Sequence, residues 1–392
     1  MARAKKTDRA EIAIVGGGLA GASLALALGQ IGRDVLFVAP PAPKDQRTSA
    51  LMMPTTRFLQ SLGLFDDPRE IATPLERIRL IDATKRLVRA PETLFDAKSA
   101  GLDAFSYNFG NADLLERLNS ANSELKNVRV IPEKANSFYR DGDWSVELAS
   151  GQSIQTALLV GADGKKSPVR QALGLSVRNH DFAQSALVCD LNLGRDLGPE
   201  SVEFHYANGP FTLVPAGENR ANLVWVDRAE VLRDAAALPE TEMLAELKHK
   251  AFNIYGDMKL TSRVFVFPLS TLTAEAAGRN GGVLVGEAAH AFPPIGAQGL
   301  NLGLRDVEDL VDVIKVTSTI ETSEQATELA DLFAKKRSGD INRTTRFVDT
   351  LFRSLLSDLL PQQMVRAGGI WALKLFPPLR NKAFEIGMGA GR

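Results

Sequence analysis

Apolar and polar positions along the chain alternate between three textures. "EIAIVG" at 11–16 is an almost unbroken apolar run, the pattern of a strand buried on both faces. Residues 19–31 are rich in Ala and Leu and predict a helix, Gly32 stops it, and "DVLFV" at 34–38 predicts a second strand. Together they make a βαβ unit of ordinary length. "PPAPKDQ" then breaks the pattern. Between 75 and 109 the texture changes to short strands, "ERIRLID", "RLVRA" and "FSYNF". A helix is predicted over 111–125, with Leu114, Leu115 and Leu118 on one side. "VRVI", "SFYRD" and "WSVELAS" predict further strands, the last two a hairpin through Asp141 and Gly142, and "ALLVGADG" a buried strand ending in a turn.

From 175 to about 267 alternating strands dominate, as in "VEFHYANGPFTLVPAGENRANLVWV", with an amphipathic helix over 239–254. "GGVLVGEAAHAFPP" predicts a buried strand entering a loop, and "GLNLGLRDVEDLVDVIK" a helix. Residues 324 to about 360 are mostly helical. The expected fold is therefore α/β with an α+β insert: a Rossmann-like nucleotide-binding domain (1–74, 111–174 and 276–345), an interleaved, mainly antiparallel β substrate domain (75–110 and 175–275), and a C-terminal helical region (346–392).

Composition narrows the function. The chain has 392 residues, 45% hydrophobic and 24% charged, which suits a soluble enzyme with more than one packed unit. Its formal net charge of -1 gives no global attraction for nucleic acid. Cys189 is the single cysteine, so there is no internal disulfide, no Cys-x-x-Cys pair and no thiolate zinc cluster; no metal site is expected. "MARAKKTDRA" has no apolar stretch behind it and does not read as a secretory signal, and no apolar run is long enough to span a membrane.

Three segments carry chemistry. In "VGGGLAGASLALAL", Gly16 permits a tight turn, Gly18 lets the backbone approach a pyrophosphate, and Gly21 allows close helix–strand packing, with the helix N-terminus offering free N–H groups. The acid that usually closes such a site on a ribose falls at Ala39, which has no carboxylate. In "LVGADGKKSPVRQALG" a buried strand delivers Asp163 and Gly164 at its tip; an ordinary β-turn is the plain alternative. In "GGVLVGEAAHAFPPIGAQGLNLGLRDVEDL" a strand ends at Gly286 and Glu287, and a helix starting near Gly299 offers a second site for partial negative charge.

In this order and spacing the three segments resemble the class A flavoprotein aromatic hydroxylases, the para-hydroxybenzoate hydroxylase superfamily, over nearly the whole chain. "DQRTSALM", "PPIGAQGLNLGLRDV" and "FAKKRSGDINRTTRFVDTLFRSLL" resemble its ubiquinone-biosynthesis hydroxylase branch. The resemblance implies FAD as cofactor and NAD(P)H as co-substrate. It implies Gly16, Gly18 and Gly21 on the FAD pyrophosphate, and Arg47 on its phosphate or ribose side. Asp163 and Gly164 match the motif linked to both FAD and NAD(P)H. Gly286 and Glu287 match the ribityl-binding motif, with Glu where Asp is usual. Gly296, Ala297, Gln298, Gly299, Leu300 and Asn301 would approach the isoalloxazine ring. An Arg common in the helix after "FSYNF" is replaced by Ala112. With Ala39 and Glu287, this implies weak FAD retention.

No nucleophile set is visible, and no protein residue is expected to be catalytic. His180, His205 and His249 read as surface or structural, and only His290 lies in a motif. The resemblance implies that reduced flavin and dioxygen form a C4a-hydroperoxide, while the protein supplies orientation and excludes water. Only one Gly-x-Gly-x-x-Gly loop is present, so NAD(P)H must bind without a Rossmann domain of its own. Phe204, Tyr206, Phe211, Leu213 and Pro215 are candidates for the substrate wall, with plain core packing as the equal alternative. "GGIWALKLFPPLRNKAF" near the C-terminus fits either docking at a bilayer interface, where a polyprenylated substrate lives, or a helix packed on its own domain. The expected location is cytoplasmic, with docking on the inner membrane under the first of these. Three functions stay open: a hydroxylase of a prenylated phenolic precursor of ubiquinone, a hydroxylase of a soluble phenolic compound, and a flavin-binding assembly subunit, the ubiquinone-biosynthesis proteins being its expected partners.

Overall fold

The computed structural model describes residues 8–84, 91–294, 296–317 and 319–356. The strand expected at "RLVRA" and the C-terminal stretch around "GGIWALKLFPPLRNKAF" lie outside these residues. Among the described residues there are eight α-helices: α1 (Leu19–Gln30), α2 (Met53–Ser61), α3 (Asn111–Glu124), α4 (Pro168–Ala172), α5 (Ala229–Ala237), α6 (Glu240–Lys250), α7 (Gln298–Lys315) and α8 (Ser323–Leu356).

The apolar run at the N-terminus forms the strand Asp8–Val15, paired in parallel with Val35–Val38 on one side and Ser153–Gly161 on the other. The order Val128–Ile131, Val35–Val38, Asp8–Val15, Ser153–Gly161, Gly282–Leu284 is that of a doubly wound sheet. Its switch point lies between the carboxyl ends of Asp8–Val15 and Ser153–Gly161, where an open sheet leaves a crevice for a ligand. The expected hairpin, Ala135–Asp141 and Asp143–Leu148, adds two antiparallel strands to this sheet. Helix α1 is buried from Gly21 to Gly29, which its Ala and Leu content permits on every face.

A second sheet of nine strands carries the insert. Strand Glu200–Tyr206 pairs in parallel with Arg77–Asp82, so two stretches far apart in sequence build one sheet. One face is closed by α5 and α6 over a core that includes Phe204, Phe211, Trp225, Met243 and Leu247. Helix α5 falls where the sequence predicts strands; its Leu232 and Ala235 are buried at helical spacing. Strand Thr48–Met52, which the sequence pattern does not announce, joins Ser106–Gly110 and Ala72–Leu75 in a third small sheet between the two. Helix α8 runs unbroken through position 346. The interleaved α/β architecture is the one expected.

Candidate functional site

The crevice at the switch point is shaped first by glycine. A Cβ on Gly16 would lie 2.2 Å from the Ala162 carbonyl oxygen, and one on Gly21 only 2.0 Å from that of Gly16. Neither position accepts another residue without moving backbone. A Cβ on Gly18 would meet nothing within 4 Å, so this is the side left open to a ligand. Gly18 is also the N-cap of α1, with no capping side chain and no acid in the first turn. The free N–H groups and the positive end of the helix dipole suit a pyrophosphate. Ala39 directly follows the second strand, with its Cβ facing Gly17, so no carboxylate stands at that strand end.

Gly286 reaches the same crevice from the other sheet strand. It adopts a left-handed φ of 61° and lies against Ala20 of α1 and Gly303 of α7. Glu287, the next residue, is exposed. Arg47 lies within electrostatic range of it. The Arg47 guanidinium is held by Asp45 at 2.8 and 2.9 Å, and Asn111 at the start of α3 donates to the same Asp45 carboxylate at 2.9 Å. Burial raises the Asp45 carboxyl, but the bonds from Arg47 and Asn111 outweigh it and hold the group below the usual range. Asp45 and Asn111 are partners that the Arg47 motif alone does not reveal. Asn111 adjoins Ala112, where the expected Arg is missing.

Helix α7 starts at Gln298 after Ala297 in a left-handed conformation, again with no capping side chain and no acid in its first turn. Gly296 is exposed at φ 63°, and Gly299 has open space around it. Leu300 packs partly against the core. Gln298 is buried and donates to the Gly296 carbonyl at 3.0 Å. Asn301 is 1% exposed, and both of its side-chain groups are used inside the protein. Its Oδ1 accepts from Met52 N–H at 2.8 Å, and its Nδ2 donates to Ala50 and Ala297 carbonyls at 2.8 and 2.6 Å. It thereby locks the free N–H end of α7 to strand Thr48–Met52.

Asp163 and Gly164 sit behind the glycine loop, joined to it through Ala162. One Asp163 oxygen accepts from Val169 N–H at 3.0 Å and so caps α4, while the other is buried without a partner among the described residues. Burial pushes its carboxyl up, only partly offset by Ser167 and Val169.

The candidate substrate wall needs a correction. Phe204, Phe211 and Leu213 are fully buried and face α5 and α6, away from the crevice. Tyr206 packs on that same side, donating its hydroxyl to the Lys250 carbonyl at 2.7 Å, and Pro215 is buried in register with Ala221. Alternation along the strands sends their neighbours the other way. Val188, Asp190, Thr212, Val214, Asn222 and Val224 are all half-buried and occupy the opposite face. Asn222 joins this face to the small sheet: Thr48 and Asn108 donate to its Oδ1 at 2.5 and 2.9 Å, and its Nδ2 donates to Asp190 at 2.7 Å. Cys189 points into the core, where burial pushes its thiol up to about 12, so it offers no nucleophile.

A doubly wound sheet with a glycine-rich switch point and two uncapped helix N-termini defines a dinucleotide-binding protein. The profile of the FAD-binding domain family matches residues 9–338, and the chain belongs to that family. Its cofactor is FAD, which the open backbone at Gly18 and the unopposed helix ends fit; it is an FAD-dependent monooxygenase that draws electrons from NAD(P)H. The chain is 29% identical over 389 residues to "Ubiquinone hydroxylase UbiL" of Rhodospirillum rubrum, covering 97% of this chain and 90% of that one. It is also 29% identical over 391 residues to the 3-demethoxyubiquinol 3-hydroxylase of Escherichia coli, covering 97% and 98%. In fold it is similar to p-nitrophenol 4-monooxygenase PnpA from Pseudomonas putida, with a TM-score of 0.79, 18% identity, and 98% and 100% of the two chains covered. Among the described residues no helix is long and apolar enough to cross a membrane.

Proposed function

We propose that this monooxygenase hydroxylates the aromatic ring of a prenylated phenolic precursor of ubiquinone. The observation that carries this reading is the half-buried face of Val188, Thr212, Val214 and Asn222, which Asn222 bonds to the strand Thr48–Met52 that Asn301 ties to the uncapped end of α7. Its apolar positions suit a ring and the root of a prenyl chain, and Asn222, bonded to Thr48, Asn108 and Asp190, fixes that face to the small sheet. The names of the two relatives point to the same substrate class.

In this reading residues 1–74, 111–174 and 276–345 form the FAD-binding domain, and 75–110 with 175–275 close over it. Gly16, Gly18 and Gly21 hold the pyrophosphate, with Asp163 and Gly164 behind them. Arg47 takes its phosphate or ribose side, and Gly286 and Glu287 take the ribityl chain. Gly296–Asn301 lie along the ring. FAD supplies the activation of dioxygen. The protein's part is to orient the substrate ring, to exclude water with the valine wall, and to place the α7 N–H groups where negative charge gathers. One oxygen atom enters the ring, the other leaves as water, and NAD(P)H provides the electron pair. Work on such a substrate brings the chain to the inner-membrane surface.

The test is NAD(P)H oxidation by the FAD-loaded protein with a short-chain prenylphenol, followed by mass spectrometry. Coupled formation of a product one oxygen heavier supports the proposal. Oxidation yielding only hydrogen peroxide with every prenylphenol, while a soluble phenol is hydroxylated, would move the assignment to the soluble substrate. Metabolite profiling of a deletion strain identifies the ring position.

A further inference from the structure

Behind the Gly286 turn lies a group of buried charges that none of the FAD-contacting roles explains. Asp306 of α7 is fully buried. Its Oδ2 accepts from the Gly286 N–H at 2.9 Å and from His290 Nε2 at 2.6 Å. Its Oδ1 accepts from Arg337 Nε of α8 at 2.8 Å. Arg337, 1% exposed, also donates to Asp309 and lies 2.9 Å from Asp340. Arg305 stands 3.2 Å from Asp340, and Lys336 3.1 Å from Asp309. The carboxylates Asp306, Asp309 and Asp340 thus face the cations Arg305, Lys336 and Arg337. His290 is itself 1% exposed, and its ring stacks on Phe292 with centroids 5.6 Å apart. Its Nδ1 has no partner among the described residues, so its one hydrogen bond is made through Nε2, toward Asp306.

One carboxylate oxygen thus grips both ends of the turn 286–290. Glu287 is the one exposed residue of that turn. The turn is packed closely on both sides: a Cβ on Gly303 of α7 would lie 3.0 Å from the Gly286 Cα, and one on Gly286 would lie 3.3 Å from the Ala20 Cβ of α1. The backbone that carries Glu287 is thus bonded to Asp306, and Asp306 is bonded in turn to Arg337 on a different helix. We infer that His290, Asp306 and Arg337 are positioning residues that aim the Gly286–Glu287 turn at FAD, so that α8 controls the grip on a cofactor it does not touch. This rests on the FAD placement proposed above.

A cluster that only stabilised the fold would behave differently. The apoprotein of each variant is titrated with FAD by fluorescence quenching, with apoprotein melting temperature and the flavin midpoint potential measured alongside. His290→Phe keeps the ring stack and removes the donor; Arg337→Met removes the cation. Both are expected to weaken FAD binding by about tenfold or more, since each leaves the Asp306 carboxylate short of a buried partner. Arg337→Lys keeps charge without the guanidinium fork and is expected to weaken binding by only about threefold, which makes it the probe if Arg337→Met does not fold. Asp309→Asn disturbs the same cluster away from the turn; it should lower the melting temperature and leave FAD affinity and potential within about twofold of wild type. Wild-type FAD affinity in folded His290→Phe, or an Asp309→Asn loss as large as that of His290→Phe, would overturn the inference. Wild-type protein that takes up no FAD would overturn the placement and this inference with it.

Discussion

The N-termini of α1 and α7 face one crevice, and both lack a capping side chain and an acid in the first turn. They are held in place by different forces. At α1 the constraint is steric: Gly16 and Gly21 let backbone touch backbone, and no titrating group is involved. At α7 the constraint is polar: Asn301 ties the first turn to Thr48–Met52, and Asp306 ties the third turn to Gly286, His290 and Arg337. The α1 end is thus fixed by hard backbone contacts, Gly16 against Ala162 and Gly21 against Gly16. The α7 end is assembled by hydrogen bonds from segments up to 285 residues apart in sequence number, from Met52 to Arg337, and each bond in it can be weakened separately.

The sharpest way to break the comparison is at α1. Gly21→Val drives a side chain into the Gly16 carbonyl, and FAD titration of the folded apoprotein should show no saturable binding. At α7, Asn301→Ala removes three hydrogen bonds but creates no clash. It should cost about 2–3 kcal/mol of stability by thermal or urea melts, with weakened rather than abolished FAD binding.

Acid separates the two ends next. Burial pushes the Asp306 carboxyl up, but His290 and Arg337 outweigh it, and the group is held below the ordinary range. A depressed carboxylate contributes stability that is full above its unfolded value of about 3.9 and is lost as pH falls through the folded value. Apoprotein melts between about pH 3 and 6 should therefore show a steep acid limb that Asp306→Asn flattens.

The smallest effects concern the departures at Glu287 and Ala39. The purified protein should lose FAD on dialysis; a stoichiometric yellow protein that survives dialysis would contradict this. Glu287→Asp should tighten FAD by about threefold if the extra methylene displaces the carboxylate. Ala39→Glu should tighten it by a similar or smaller factor, by restoring an acid at the strand end; unchanged FAD affinity would remove the idea that a ribose anchor is missing there.

The parts legible in the sequence share one property: their signal is local. The βαβ unit, the glycine loop, the strand ending at Gly286 and the gap at Ala39 follow from residues within one short segment. Asp306 also left a trace, since it sits four residues from both Leu302 and Leu310 on the buried side of α7. A carboxylate on such a face needs a partner, but nothing near it in sequence identifies Arg337. The wall residues were less accessible. Period-two alternation shows that Phe204, Phe211 and Leu213 share one face with Trp225, but not whether that face meets flavin or helices. Helices α5 and α6 decide it by covering the aromatic side.

By itself, the sequence determined the nucleotide fold and the positions where backbone must come close, because steric rules for glycine and apolar periodicity act over a few residues; the cofactor followed from the family resemblance. Only the tertiary structure decided which face of the second sheet is open, which side chains anchor α7, and that a helix remote from the crevice braces the turn at Glu287. Those features depend on which surfaces meet, and burial leaves a charge such as Asp306 no partner except those that distant segments bring to it.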